Sequence, residues 1–446
     1  MPKFSAHRAC DDFHETRRAI TRRQMIGRSV GAGLSVYMAA NTPLGRILEA
    51  AEASAAGAPN APVLVSVFLP GGCDLLSTLA PVQQAGKLAD LRGKIVRNDM
   101  VALPGESRIV AHPSLATGLN GGIAGLFGQG KIGFLPGIDY TNPDLSHFHS
   151  RHFWETGLVT DKAAPGWLGR WLDRHGVKDN PLQGMSLNGG LSPVLESGKA
   201  PVAAISSPGD AQLYMTGLWG DQARQANETW ANLGKASSSS RPGPRAASEA
   251  VRLTAKVANQ LAPYQDKDGK PAPALVPRVA YPEDNNFAES LAHLAGMLSL
   301  PLGVRIATID APGDFDTHDN QPKELEEALA GVSAGLAAFQ ADLEARGLAD
   351  RVLTLVWSEF GRRPEANDSN GTDHGAGGVA WVQGTRALGG VLSEYPDLGR
   401  LDRQGNLGVT LDFRRVYSSL LEQWLGTGAD EVIPRAGSFG RLKLVA

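Results

Sequence analysis

Cysteine is almost absent from this sequence: the 446 residues hold two, Cys10 and Cys73. A disulfide-built scaffold is therefore excluded, and with Cys10 in an amino-terminal export leader, Cys73 has no partner. It reads as a packing residue or an incidental neighbour of a site. An excess of either charge is also lacking. Forty-three basic residues against 46 acidic ones give a net charge of −3, which argues against a nucleic-acid surface. No apolar run is long enough to span a bilayer. The nearest, Ile26 to Ala40, is interrupted by Arg28 and by glycines, so the mature protein is expected to be soluble and not membrane-spanning. There is no internal repeat. In contrast, glycine (53) and proline (28) are plentiful, which points to long ordered loops. The length and the 42% apolar content allow one large α/β domain or two smaller ones.

The amino-terminal segment reads as that leader. Thr21-Arg22-Arg23-Gln24-Met25-Ile26 has the twin-arginine pattern, and steps such as Ala51-Glu52-Ala53 offer cleavage sites. Residues 1–55 are expected to be signal peptide and linker. The protein would then be carried folded, by the twin-arginine export machinery, to the periplasm or beyond. A basic amphipathic helix kept in the cytoplasm is the alternative reading of the same residues.

Three later apolar runs read as strands that end in polar clusters. Val63 to Leu69 runs into Gly71-Gly72-Cys73-Asp74, Val304 to Ile309 into Asp314-Phe315-Asp316-Thr317-His318, and Val352 to Val356 into Ser358-Glu359-Phe360-Gly361-Arg362 and Gly371-Thr372-Asp373-His374. In open α/β sheets ligands bind beyond the carboxyl ends of strands, so carboxylates and histidines should meet on one rim. A further strand is expected at Lys131 to Leu135, and helices at Gln83–Leu91, Leu115–Gln129, from Gly166, at Asn286–Leu298, Pro322–Ala345 and Arg414–Leu425. The long amphipathic helix from Pro322 joins two strands and makes them parallel. Residues 181–281, with the low-complexity run Ser237 to Ser240, read as a loop-rich insertion over the rim, a lid.

Asp316-Thr317-His318 pairs a carboxylate with an imidazole, a donor set suited to Zn²⁺ or Mn²⁺, although such a pair also serves as a plain loop hydrogen bond. Glu359 and Arg362 read equally as an ion pair that fixes a loop. The segment Ser146-His147-Phe148-His149 enters a helix. Ser146 stands where an N-cap belongs and also where a nucleophilic hydroxyl would meet an anion. His149 and His152 would share a helix face.

Taken together, Phe68-Leu69-Pro70-Gly71-Gly72-Cys73-Asp74, Leu145-Ser146-His147-Phe148, Gly166-Trp167-Leu168-Gly169-Arg170, Phe315-Asp316-Thr317-His318, Ser358-Glu359-Phe360-Gly361-Arg362 and Gly371-Thr372-Asp373-His374-Gly375 resemble the bacterial family labelled domain of unknown function 1501, of the alkaline-phosphatase-like (sulfatase-like) superfamily. The resemblance implies a single domain over 56–446. Its fold would be an α/β three-layer sandwich with a mostly parallel central sheet and helices on both faces. It implies Asp74, Asp316, His318, Glu359 and His374 as ligands of one or two divalent ions (Zn, Mn or Ca), Ser146 as nucleophile and Arg362 as stabiliser of charge on the transferred group. His147, His149, Asp314 and Asp373 are expected to support them. Ser358-Glu359 stands where the superfamily has an Asp-His pair, which points to one metal or to a histidine from His147 or His149. The Cys-x-Pro/Ser-x-Arg context of a sulfatase is missing around Cys73. The expected activity is thus metal-dependent hydrolysis of a phosphate or related anionic ester of a small molecule, glycan or lipid. The alternative is a non-catalytic envelope protein that binds an anionic glycan, lipid or protein.

Overall fold

The computed structural model describes residues 35–37, 61–211, 222, 225–226, 228–230, 232, 242–265 and 270–446. The expected leader, apart from 35–37, lies outside the described residues, as does the serine run at 237–240. The strands are β1 (Ser35–Tyr37), β2 (Val63–Phe68), β3 (Leu79–Pro81), β4 (Val101–Ala102), β5 (Ile109–Ala111), β6 (Ile132–Asp139), β7 (Gly184–Ser186), β8 (Val202–Ala204), β9 (Ile306–Asp310), β10 (Val352–Trp357), β11 (Gly361–Ala366), β12 (Thr372–Gly375), β13 (Gly378–Gln383), β14 (Gly390–Val391) and β15 (Leu411–Asp412). The main sheet has the order β1-β8-β7-β9-β2-β10-β13-β6-β14, with β15 also on β6. Its heart, β8-β7-β9-β2-β10, is parallel throughout.

A parallel strand in the middle of such a sheet is covered on both faces and must be apolar on both. β2 meets this demand: Val63, Val65 and Val67 enter one core, Leu64 and Phe68 the other. Its single polar residue, Ser66, accepts a hydrogen bond from Trp357 Nε1 at 2.9 Å, so this hydroxyl is not buried without a partner. The first core packs the helices Asn286–Leu298 and Gln321–Ala345 against the sheet. The second holds His147–Thr156, Trp167–His175 and Phe413–Gln423. The protein is thus a mixed α/β fold with a large, mostly parallel sheet and helices against both faces. Among the described residues no helix is long and apolar enough to cross a membrane.

The strands on either side of the Gln321–Ala345 helix are parallel, as the spacing requires, but they are not neighbours. β9 and β10 flank β2, with Phe68 in register with Asp310 on one side and Trp357 on the other. Three carboxyl ends consequently lie side by side on one rim. Two expectations give way. The helix expected over Leu115–Gln129 is divided into a short turn at Pro113–Ala116 and a helix at Gly122–Gly128. Gly118, Asn120, Gly121 and Gly122 all take positive φ there, which no continuous helix tolerates. Residues 181–281 are also more than an insertion over the rim, because β7 and β8 belong to the main sheet and are fully buried.

Candidate metal centre

β2 leaves the sheet through Leu69-Pro70 into Gly71-Gly72, whose φ values of +116° and +86° only glycine adopts without strain. The turn is also tight. A Cβ on Gly71 would lie 2.2 Å from the Asp316 backbone nitrogen, and one on Gly72 2.3 Å from the Phe360 ring. Gly71→Ala should therefore cost several kcal/mol more than Gly347→Ala, which carries only the φ penalty of about 1–2 kcal/mol in open space. Urea unfolding of the two variants reads this directly, and equal losses would show that the turn can move aside.

Beneath that turn lies Glu359, 1% exposed. Its carboxylate accepts the Gly71 N–H at 3.0 Å, the Gly72 N–H at 3.2 Å and the Ser358 hydroxyl at 3.1 Å. It also faces His147 Nδ1 at 2.9 Å. Burial works against its charge, but the His147 contact outweighs it and the pKa falls. The Glu359–Arg362 ion pair that the sequence suggested does not form. Arg362 pairs with Asp316 instead and gives its other donors to the carbonyls of Gly72 (3.0 Å), Thr372 (2.8 Å), Gly71 and Phe315 (3.2 Å).

Asp316 is the hub. Its Oδ1 lies 3.0 Å from His374 Nε2 and 3.1 Å from His318 Nε2, and its Oδ2 lies 3.4 Å from His147 Nε2. Burial raises its pKa, but the three imidazoles and Arg362 more than reverse that, so the carboxyl stays ionised. The β11–β12 hairpin, which the sequence did not reveal, sets Arg362 directly opposite His374 and so aims both at Asp316. His147 opens the helix His147–Thr156. Phe360 packs on both His147 and His374, with ring centroids 4.9 and 4.5 Å apart.

His147, Asp316 and His374 offer ligand atoms within 4.8 Å of one another, a group that could hold a metal ion. The far nitrogen of each histidine supports this reading. His374 Nδ1 donates to the Leu145 carbonyl at 2.9 Å, His147 Nδ1 to Glu359, and His318 Nδ1 to Asp373 at 3.2 Å. In a neutral imidazole the other nitrogen then carries a lone pair. In that tautomer lone pairs of His147 and His374 meet the Asp316 carboxylate, and His318 Nε2 stands at the edge of the group, 3.0 Å from His374 Nε2. Two ring nitrogens at that separation share a proton, as the lowered pKa of Asp316 implies for the ion-free site, or a metal ion in its place. Donors about 3.3 Å apart are what tetrahedral ligands at Zn–N distances of about 2.0–2.1 Å would show, and the Asp316 contacts to His374 and His147, 3.0 and 3.4 Å, are close to that. A histidine held at its second nitrogen by a carboxylate or carbonyl is the usual arrangement around a bound metal.

The other expected residues are distributed differently. Asp74 is not brought to the cluster: it meets Arg92 through two contacts of 2.6 and 2.8 Å, accepts from Gln321 at 2.6 Å, and caps the helix Leu75–Thr78 through the Leu76 N–H. His149 is half exposed and pairs with Asp144 at 2.9 Å, while His152 reaches the Lys162 carbonyl. Asp314 is exposed and accepts the Asp316 N–H. Ser146 occupies the N-cap position of the His147 helix, yet its hydroxyl makes no capping bond. Cys73 is fully buried and its thiol is pushed up to about 12 by burial, so it is chemically quiet.

A family model covers residues 137–421 of the chain, and its description reads "Protein of unknown function (DUF1501)". That span contains His147, Asp316, His318, Glu359, Arg362 and His374 and leaves out Asp74. No curated protein matches the chain.

Proposed function

This chain belongs to the DUF1501 family, whose description assigns no activity, and from that premise we propose that it is a metal-dependent hydrolase of a phosphate or related anionic ester. On this reading it is exported by the twin-arginine route and built on an alkaline-phosphatase-like sandwich. The observation that carries the proposal is the convergence of His147, His318 and His374 Nε2 on Asp316, each imidazole held from behind by an acceptor. Because Asp74 is committed to Arg92, the donor set suits one ion, with Zn²⁺ or Mn²⁺ favoured by its nitrogen content over Ca²⁺.

A divalent ion held there would supply Lewis acidity, lowering the pKa of a nearby hydroxyl and drawing charge from an ester oxygen. The chain's own residues would do the rest. Ser146, half-buried and one residue before His147, presents a hydroxyl not spent on capping and is the proposed nucleophile. Glu359 and the Leu145 carbonyl keep His147 and His374 in the tautomer whose Nε2 faces Asp316. Arg362, with its donors committed to Asp316 and backbone carbonyls, acts here as the positioner of the aspartate rather than as a substrate ligand. The buried, high-pKa thiol of Cys73 speaks against sulfatase chemistry. The inward pairing of Asp74 with Arg92 and of Arg362 with Asp316 favours the rival reading, a non-catalytic binder of anionic glycan or lipid.

The test is elemental analysis of the purified full chain and of His374→Ala, followed by a panel of phosphate and sulfate monoesters and diesters. The expected result is about one Zn or Mn per chain, lost in the variant, with turnover of a phosphate ester that Ser146→Ala abolishes. A chain that takes up no metal overturns the proposal. A metal-replete chain inert to every ester favours the binder.

A further inference from the structure

The rim holds a second arginine, and its donors are spent differently. Arg151 lies one helical turn beyond His147 and so shares its face of the helix. Its guanidinium sits over the Phe68 ring, 4.4 Å from the centroid, at the carboxyl end of β2. Nε donates to Glu155 at 2.7 Å, and Glu155 is buried. The terminal nitrogens, by contrast, make no hydrogen bond among the described residues. Besides Glu155, the carboxylate of Asp310 at the end of β9 forms a loose ion pair with Nη2 at 3.8 Å, beyond hydrogen-bonding reach. The side chain remains 22% exposed, whereas Arg362 is wholly enclosed.

We propose that Arg151 is the anion-binding residue of this rim, its two Nη groups taking two oxygens of the substrate's phosphate-like group beside the His147–Asp316–His374 centre. This rests on the reading of that cluster as a metal centre. A planar guanidinium presents two parallel N–H donors that match an oxyanion fork-to-fork, and such charge-assisted pairs are short and specific. The site is built for that orientation. The Phe68 face fixes the plane, Glu155 anchors the inner edge at Nε, and the outer edge is left toward the rim. The helix that carries His147 carries Arg151 as well, so one rigid element sets the distance between the cluster and the anion. Arg151 also contributes to the depressed pKa of Glu359, the partner of His147, which places its charge within electrostatic reach of the centre. Asp310 opposes an incoming anion and would limit its affinity.

The probe is inorganic phosphate, titrated calorimetrically into the zinc-loaded full chain, with the metal content of each sample measured. Arg151→Gln should weaken phosphate binding by roughly ten- to hundredfold, the range for loss of a charged hydrogen-bond pair, while its metal content stays at the wild-type level. Arg151→Lys, which keeps the charge and loses the fork, should fall between. Asp310→Asn removes a repelling carboxylate and should tighten binding several-fold, a test that stands even if Arg151→Gln folds poorly. Phosphate affinity unchanged in Arg151→Gln, weakened in Asp310→Asn, or absent from the wild type would overturn the proposal. So would loss of metal from Arg151→Gln, because the arginine would then act by placing His147. A wild-type chain without metal would overturn the metal-centre reading. Phosphate binding by that chain, lost in Arg151→Gln, would still support the arginine.

Discussion

Asp316→Ala should abolish metal binding at the proposed centre and destabilise the fold by about 3–5 kcal/mol, the cost of leaving a buried charge without its partner. Both effects have one origin. The carboxylate is the shared neighbour of His147, His318 and His374, and it is the carboxylate that answers the enclosed guanidinium of Arg362. Removing it leaves Arg362 hydrogen-bonded to carbonyls but unbalanced in charge, under the Gly71-Gly72 turn. Asp316→Asn separates the two contributions, since it keeps the shape and an acceptor oxygen while removing the charge. The alanine variant should unfold at lower urea than the asparagine variant, and neither should hold metal against a chelator. Wild-type urea stability in Asp316→Ala, together with retained metal, would sink the view that this residue organises the rim.

The rim was legible because its strands are apolar at nearly every position. Val63 to Phe68 and Val352 to Trp357 admit no exposed face, which is what a central parallel strand covered on both sides requires. The polar cluster after each run is then forced to the same side. The helix Asn286–Leu298 was equally plain, since its apolar residues recur at helical spacing between an Asn cap and the Ser299 terminus. The shorter elements were not. β7 and β8, Gly-Met-Ser and Val-Ala-Ala, are too brief to show a period, and their place in the sheet comes from pairing with β9 and with each other. The β11–β12 hairpin is polar along most of its length and is held by cross-strand partners rather than by an apolar stripe.

The candidate site was legible in its residue types and less so in their roles. Asp316, His318 and His374 announce themselves by proximity to strand ends. His147 reads only as a supporting residue, because nothing near Ser146 in sequence shows that the helix start comes back over β10. The partner that orients it, Glu359, lies far along the chain and itself reads as a ligand. Asp74 misleads in the opposite direction. Its position after β2 suggests a ligand, whereas the deciding fact is Arg92 at the end of the helix Ala85–Arg92, a residue with no motif around it.

That pairing yields the second large expected effect. Asp74→Asn should cost about 3–5 kcal/mol of stability at neutral pH and leave the metal content unchanged. Asp74 and Arg92 are 1% and 2% exposed, so the substitution strands a guanidinium where water cannot reach it. The pH dependence comes from the direction of the carboxyl's shift. Burial pushes the pKa up, but the charge and hydrogen bonds of Arg92, with Ser77 and Gln321, bring it below its ordinary 3.8. The unfolded chain therefore takes up the proton first as the solution is acidified. The contribution of Asp74 is complete above the ordinary value and is lost as pH falls toward the depressed one. The stability gap between wild type and Asp74→Asn should consequently narrow once pH drops below about 4, as the wild type weakens toward the variant. Asp316 and Glu359, also depressed, weaken both proteins alike over the same range. Urea unfolding at neutral pH and near pH 3, with metal analysis of both proteins, reads all of this. Loss of metal without loss of stability would return Asp74 to the ligand set and make the Arg92 contact incidental.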